Sequence, residues 1–443
     1  MENTLFEKMP VPKAYMKLAV PVMLSNVLML VYNMVDMYFI AGTGNTDLVA
    51  GVAVCTPVFT FMVAVGDIFG LGGSSVISRL FGEGRTEDGK RISVFAFYGA
   101  LLFGALIAAV LLLFRTPLLR MLGANEGTMP YASAYYAIIA AGAPFAVFSL
   151  VPTNLLRTEG FASAAMVGSI AGSVVNMILD PLFIFGLRMG AAGAALATVI
   201  GNICADVYYV WFILNKSKVL SLVPKGFHIS ADELKAVLSI GIPASITNVM
   251  QSFGMMLLNR FLLPYGNDKI AAMGIVSKSI MIVIMIMVSF SFGGQPLYGY
   301  LYGSGNKKRM KEVMRFAYKL VPGIGLVLSA VLFAAAPLMI RIFMDDPAII
   351  SIGVPMLRRV LCGMPFIGLV MVTTCIFQAT GKALGAFLLS AGRQGYVYLI
   401  VIVAASSLFG YNGVISAQPA ADVITALLAF LLFRYMLAGE LQE

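Results

Sequence analysis

Twelve stretches of this chain are apolar for long enough to cross a lipid bilayer, and no fold that leaves them in water is open to it. A ~30 Å hydrocarbon core takes roughly 20 residues of helix. Runs of that length recur at approximately 14–41, 48–79, 91–114, 131–157, 163–187, 190–215, 234–264, 270–302, 312–336, 350–379, 384–408 and 411–437. Only 12% of the 443 residues are charged, where a soluble domain carries about 25%. Several runs exceed the minimum, which predicts tilting or extension past the membrane face. The first is too long for a signal-peptide core and no small-residue cleavage site follows it, so it reads as a retained helix.

The net charge of +9 is a topology signal and does not point to nucleic acid. With the N-terminus in the cytoplasm, most Lys and Arg fall at the inner face, among them Lys8, Lys13, Lys17, Arg79, Arg85, Lys90, Arg91, Lys216, Lys218, Lys225 and the run "NKKRMKEVMR" from Asn306. That bias places both termini inside, in a multi-pass protein of the plasma (inner) membrane. Cys55, Cys204, Cys362 and Cys375 lie in apolar runs without metal-ligand spacing, and read as small hydrophobes. His228 stands alone in a polar linker, so no histidine-based zinc site, dyad or relay can be built.

The chain repeats itself. "FGLGGSSVISRLFGEG" (Phe69–Gly84) aligns with "FSFGGQPLYGYLYGSG" (Phe290–Gly305), with six identities, four of them glycine. "AGAPF" from Ala141 recurs as "CGMPF" from Cys362, "TEG" at Thr158 as "ATG" at Ala379, and "LAVPVMLSN" from Leu18 as "IGIPASITN" from Ile240. The offset holds at 221 or 222 residues. A shift of six helices keeps the orientation, so the halves are expected to be parallel repeats about an axis along the membrane normal. The predicted organisation is an N-lobe (1–214, helices 1–6), a cytoplasmic linker (215–233) and a C-lobe (234–443, helices 7–12). Parallel repeats joined by a linker favour alternating-access transport, with substrate bound between the lobes.

The polar residues inside the apolar runs are the candidates for chemistry. Asp36 lies about six residues before the outer end of the first helix, and the fifth carries Asn176 and Asp180 four residues apart, hence on one face. Thr198 lies at a similar depth in the sixth. At ~1.5 Å rise per residue these four fall within one outer-leaflet layer of roughly 6 Å. An Asp at a helix centre costs about 2.5–3.5 kcal/mol on insertion scales, so two in one layer must take up a proton, share a cation or line water. Oxygen-only ligands suit a proton or a small hard cation such as Na+ and offer little to zinc or copper. A bland alternative has Asp36 and Asp180 merely tying helices together.

The C-lobe counterparts, near Leu258 and Ile400, are apolar, which implies a specialised N-lobe. Arg393 and Asp422 read most simply as a structural ion pair or snorkelling side chains. Lys278, nine residues into the eighth helix, either lines the cavity or pairs with Asp422. Pro21 and Pro181 remove backbone hydrogen bonds and permit bends, so bending of the first helix is one route from site to lobes. The 28 methionines, with abundant Phe and Tyr, suit a cavity for flat lipophilic molecules; Tyr32, Met255, Met256 and Lys278 are candidate lining residues.

With its all-α design of two pseudo-symmetric six-helix bundles, "N-x-V-D-x-x-F-I-A-G" closing helix 1, "N-x-x-x-D-P" in helix 5 and "G-A-A-L-A-T" in helix 6, the chain resembles the multidrug and toxic compound extrusion (MATE) family, in particular its DinF-like and MepA-like bacterial branch. The resemblance implies export of cationic amphipathic compounds by antiport with H+ or Na+ and no other cofactor. It also implies a cation site at Asp36, Asn176, Asp180 and Thr198, a bend at Pro21, and a monomer. Other branches have an acidic residue in helix 7, which "TNVMQSFGMMLLNRFLL" (Thr247–Leu263) lacks, so a C-lobe cation site of that kind is not expected.

Two other classes fit the sequence less well. A flippase for a lipid-linked precursor needs a more basic interior than these helices offer. A membrane-embedded transferase needs acidic or histidine motifs at the membrane face, and "GDIFG" at Gly66 and "DDP" at Asp345 have no partners at useful spacing. No phosphate-binding loop for an ATP-driven pump is present. The chain is therefore expected to be a transporter and not an enzyme.

Overall fold

The computed structural model describes residues 4–224 and 228–442, and every regular element among them is helical; Lys225 lies outside the described residues. The spans are α1 Val11–Ala41, α2 Thr46–Gly82, α3 Thr86–Leu113, α4 Met129–Ala141 with Ala143–Thr158, α5 Ala162–Gly186 and α6 Ala191–Lys216. The second half follows with α7 Ala231–Tyr265, α8 Asn267–Gly303, α9 Lys307–Ala334 and α10 Pro347–Leu361 with Met364–Ala379. One long run, Ala383–Met436, completes the chain. It is two spans, α11 (383–409) and α12 (411–436), because Gly410 between them has φ 55°, ψ −133°. Gly190, which opens α6, has nearly the same backbone, φ 55°, ψ −126°. A Cβ is strained there, so glycine marks the start of the last helix in each half. Twelve spans thus occupy the described residues, at the places the apolar runs predict.

The repeated motifs are repeated structural events. In "AGAPF" and "CGMPF" the proline sits in the first turn of a new helix segment, and α4 bends there by 52° and α10 by 43°. Proline is tolerated in a first turn, where the N–H it lacks would have no helical partner. The doubled glycines are seats for another helix. A Cβ on Gly72 would come within 2.4 Å of the Val237 carbonyl oxygen, and one on Gly293 within 2.5 Å of Ala19 Cα. Gly72 in α2 therefore receives the first part of α7, and Gly293 in α8 the first part of α1.

The chain forms two compact units. One comprises Leu24–Ser245; the other joins Met1–Met23 to Ile246–Glu443. Sequence repeats and compact units are thus different divisions of the chain. α1 passes from one unit to the other just past Pro21, and α7 does so just past its equivalent, Pro243. In the first unit the linker after α6 is tied down: Glu159 at the end of α4 accepts hydrogen bonds from the backbone N–H groups of Lys218 (2.6 Å) and Val219 (3.1 Å).

Candidate cation site in the first unit

Small residues bring the polar ones together. Gly172 of α5 and Gly201 of α6 are so close that a Cβ on either would lie 2.7 Å from the other's carbonyl oxygen. Backbones that touch in this way are typical of tight helix pairs in membranes. One turn from Gly172 along α5 stands Asn176, and three residues before Gly201 stands Thr198. Asn176 Nδ2 donates to Thr198 Oγ1 at 3.0 Å. Thr198 spends its own proton on the Ala194 carbonyl at 3.1 Å. Its remaining contact, with the Tyr32 hydroxyl of α1 at 3.5 Å, is therefore one that Tyr32 donates.

Asp36 lies one turn beyond Tyr32, and its carboxyl meets that of Asp180 from α5. Asp180 is 0% exposed, Asn176 2% and Thr198 7%. Both oxygens of Asp180, Oδ1 of Asp36 and Oδ1 of Asn176 have no hydrogen-bond donor among the described residues. Four acceptor oxygens without a donor are an unfinished site, one that a proton, a cation or water would complete. Two carboxylates ~4 Å apart at an effective dielectric of 20 repel by about 4 kcal/mol, more than a buried pair can carry unrelieved. Pro181, directly after Asp180, has no N–H to continue the ladder, and the helix goes on as a π-turn, Leu182–Gly186.

On each of the three helices the next turn toward the same end of the unit is apolar. Ile40 follows Asp36 by four residues, Ile184 follows Asp180 by four, and Ala194 precedes Thr198 by four. These three belong to one buried cluster with Leu48, Val52 and Ala191, against which Tyr131 and Tyr135 of α4 pack. The site is plugged on that side.

The sequence-predicted residues thus fall into two groups. Asp36, Asn176, Asp180, Thr198 and Tyr32 come together. Pro21 sits in the first part of α1, in the other unit. Met255 and Met256 are exposed, at 43% and 62%, and Lys278 is exposed and makes no ion pair among the described residues. Asp422 has Arg393 Nη1 at 3.7 Å and Gln418 at 3.1 Å, so the pairing with Lys278 does not occur and that with Arg393 does. Two residues escaped the sequence reading. Tyr135 is close enough to feel the charges of Asp36 and Asp180, but in "YASAYYAII" nothing distinguishes it from its neighbours. Asp206 was legible as another carboxylate inside an apolar run.

Known proteins share this architecture. The MatE family model matches residues 21–182 and again 243–403, two matches that begin 222 and end 221 residues apart, which is the offset of the internal repeat. A multidrug export protein MepA from Staphylococcus saprophyticus is 30% identical over 98% of this chain and 96% of its own length; one from Staphylococcus aureus is 31% identical over the same shares. Among solved structures, a MOP-superfamily transporter from Pyrococcus furiosus, described as having a binding pocket of reversed polarity, superposes with a TM-score of 0.92 at 25% identity, over 100% of this chain and 99% of that one. A multidrug resistance MATE transporter in an outward-facing conformation also gives 0.92 at 25% identity, covering 99% of each chain. Matched in both halves and related along nearly its whole length, this protein belongs to the MatE family of multi-pass membrane transporters.

Proposed function

We propose that the chain is a secondary exporter of cationic amphipathic compounds, driven by the inward movement of H+ or Na+ through the Asp36–Asn176–Asp180–Thr198 site. The observation that carries this reading is the convergence, in one unit, of the buried Asp180 carboxyl, the half-buried Asp36 carboxyl and the Asn176 amide, with four oxygens among them that lack a donor. With the N-terminus in the cytoplasm, the plug of Ile40, Ile184 and Ala194 faces outward and must part for the coupling ion to enter. A bound ion pulls Asp36 of α1 toward Asn176 and Asp180 of α5, and an empty site pushes the two carboxylates apart. That difference acts on α1, the helix that also carries Pro21 and passes between the units. Similarity to the multidrug export proteins supports small lipophilic cations as the cargo.

The test is efflux of a fluorescent lipophilic cation from proteoliposomes under a proton gradient and a sodium gradient imposed separately. A response to one or both establishes antiport and identifies the ion. Silence under both, with folded protein in the membrane, removes this reading and turns attention to a lipid-linked precursor as cargo.

A further inference from the structure

Asp206 lies on α6 eight residues past Thr198, about 12 Å further from the plugged end. It is 7% exposed. Its Oδ1 accepts a hydrogen bond from the Ser149 hydroxyl of α4, and its Oδ2 has no partner among the described residues. The hydroxyls around it are already committed. Thr153 donates to the Ser149 carbonyl at 2.7 Å, and Tyr209 donates to the Ala165 carbonyl at 2.9 Å and contacts Thr153 at 3.1 Å and Ser169 at 2.9 Å. None has a proton left for Oδ2.

The titratable and charged groups on the helices packed against Asp206 are few. Its own helix carries Cys204, Tyr208, Tyr209 and Lys216, α5 carries Asp180, and α4 carries Tyr131, Tyr135, Tyr136 and Arg157. Arg157 is engaged by Asn154 and by the Thr153 carbonyl at 3.1 Å. No basic side chain comes within 4 Å of Asp206 among the described residues. Asp422, on the last helix of the other half, shares the unpartnered Oδ2 but differs in its company: its Oδ1 has an arginine at 3.7 Å and an amide donor at 3.1 Å, where Asp206 has a single hydroxyl. An ionised Asp206 would be a buried charge with one hydroxyl for company, a cost of several kcal/mol that a proton removes.

We propose that Asp206, held by Ser149, is a second proton-binding site of this unit, a station between the Asp36–Asp180 pair and the opposite membrane face. A proton arriving from the pair forms the O–H bond at Oδ2; on release that bond breaks, the electron pair stays on the carboxylate, and the proton leaves toward the face away from the plug. Ser149 is the positioning residue, fixing Oδ1 so that Oδ2 takes the proton. The relay role rests on the proposed proton coupling; the binding site itself does not.

Infrared difference spectra of the purified full chain in lipid, acid minus alkaline, read protonated carboxyls one by one. Asp206→Asn is expected to remove one carboxyl C=O band, Asp206→Glu to keep a shifted one, and Ser149→Ala to shift the wild-type band without removing it. In proteoliposomes, Asp206→Asn should slow proton-driven efflux by on the order of a hundredfold or more, with affinity for the fluorescent cation unchanged. Spectra of Asp206→Asn that superimpose on the wild type overturn the binding site; full proton-driven efflux in that variant overturns the relay. Should Asp36→Asn and Asp180→Asn leave gradient-driven efflux intact, the proposed antiport mechanism fails, yet the Asp206 band still decides this site. If Asp206→Asn does not fold, the Asp206→Glu and Ser149→Ala band shifts carry the test, and their absence rejects it.

Discussion

The amide of Asn176 donates to the hydroxyl of Thr198 at 3.0 Å, and this one bond closes the contact between α5 and α6 that Gly172 and Gly201 make possible. It turns a steric fit into a chemical site, because it leaves Oδ1 of the same amide free beside the carboxyl pair.

Asn176→Ala separates those two roles. A hydrogen bond between membrane helices is worth about 0.6 kcal/mol on average, so thermal stability should fall only slightly. Half-saturation by the coupling ion should rise about tenfold, as loss of a ligand worth roughly 1.4 kcal/mol requires. A large stability loss with unchanged ion dependence would make Asn176 a packing residue and nothing more.

Asp36→Asn and Asp180→Asn each remove one of two facing acids. Gradient-driven efflux should be lost in both. Relief of the like-charge repulsion should leave the melting temperature in alkaline buffer at or above that of the wild type. Thermal denaturation in detergent beside the efflux assay checks both parts.

Gly201→Leu drives a side chain into the Gly172 carbonyl. Overpacking costs about 1–3 kcal/mol, and here it also forces Thr198 away from Asn176. Lower melting temperature and lost ion dependence are expected together, whereas Gly274→Leu, in open space within α8, should cost far less.

The Lys382–Glu440 pair predicts a pH effect outside the membrane. Lys382 beside it, with the Tyr302 hydroxyl at 2.8 Å, holds the Glu440 carboxyl below the usual glutamate range. A carboxyl lowered in the folded state adds stability above its unfolded value, and that contribution is lost as pH falls through the folded one. With Glu440 half exposed, the gain is below ~1 kcal/mol. Glu440→Gln should therefore be slightly less stable than the wild type near neutral pH and indistinguishable from it in acid or high salt, by thermal melts across pH.

Much of this was legible beforehand because membranes leave few options. A carboxylate in an apolar run must meet a partner, so depth and spacing were enough to group Asp36, Asn176, Asp180 and Thr198. "AGAPF" and "CGMPF" stood out as repeats, but the bends at Gly142 and Gly363 that they make became visible only in the fold. What sequence did not disclose was which helix each repeated glycine receives. Gly72 and Gly293 looked like general packing residues, and only the backbone approach of Val237 and Ala19 shows that each half seats the other half's first helix. Tyr135 was hidden for a related reason: an aromatic on a helix states nothing about its neighbours until three helices converge.

That exchange bears on descent. A half-length ancestor built this way could not have been complete alone, because its glycine seat would have stood empty. Two copies, each placing the start of its first helix in the other, would have made the whole, and joining them head to tail would have kept that partnership in one chain. The same logic applies today. Residues 1–224 and 228–443 produced as separate chains in one cell should assemble and transport, and either produced alone should be degraded.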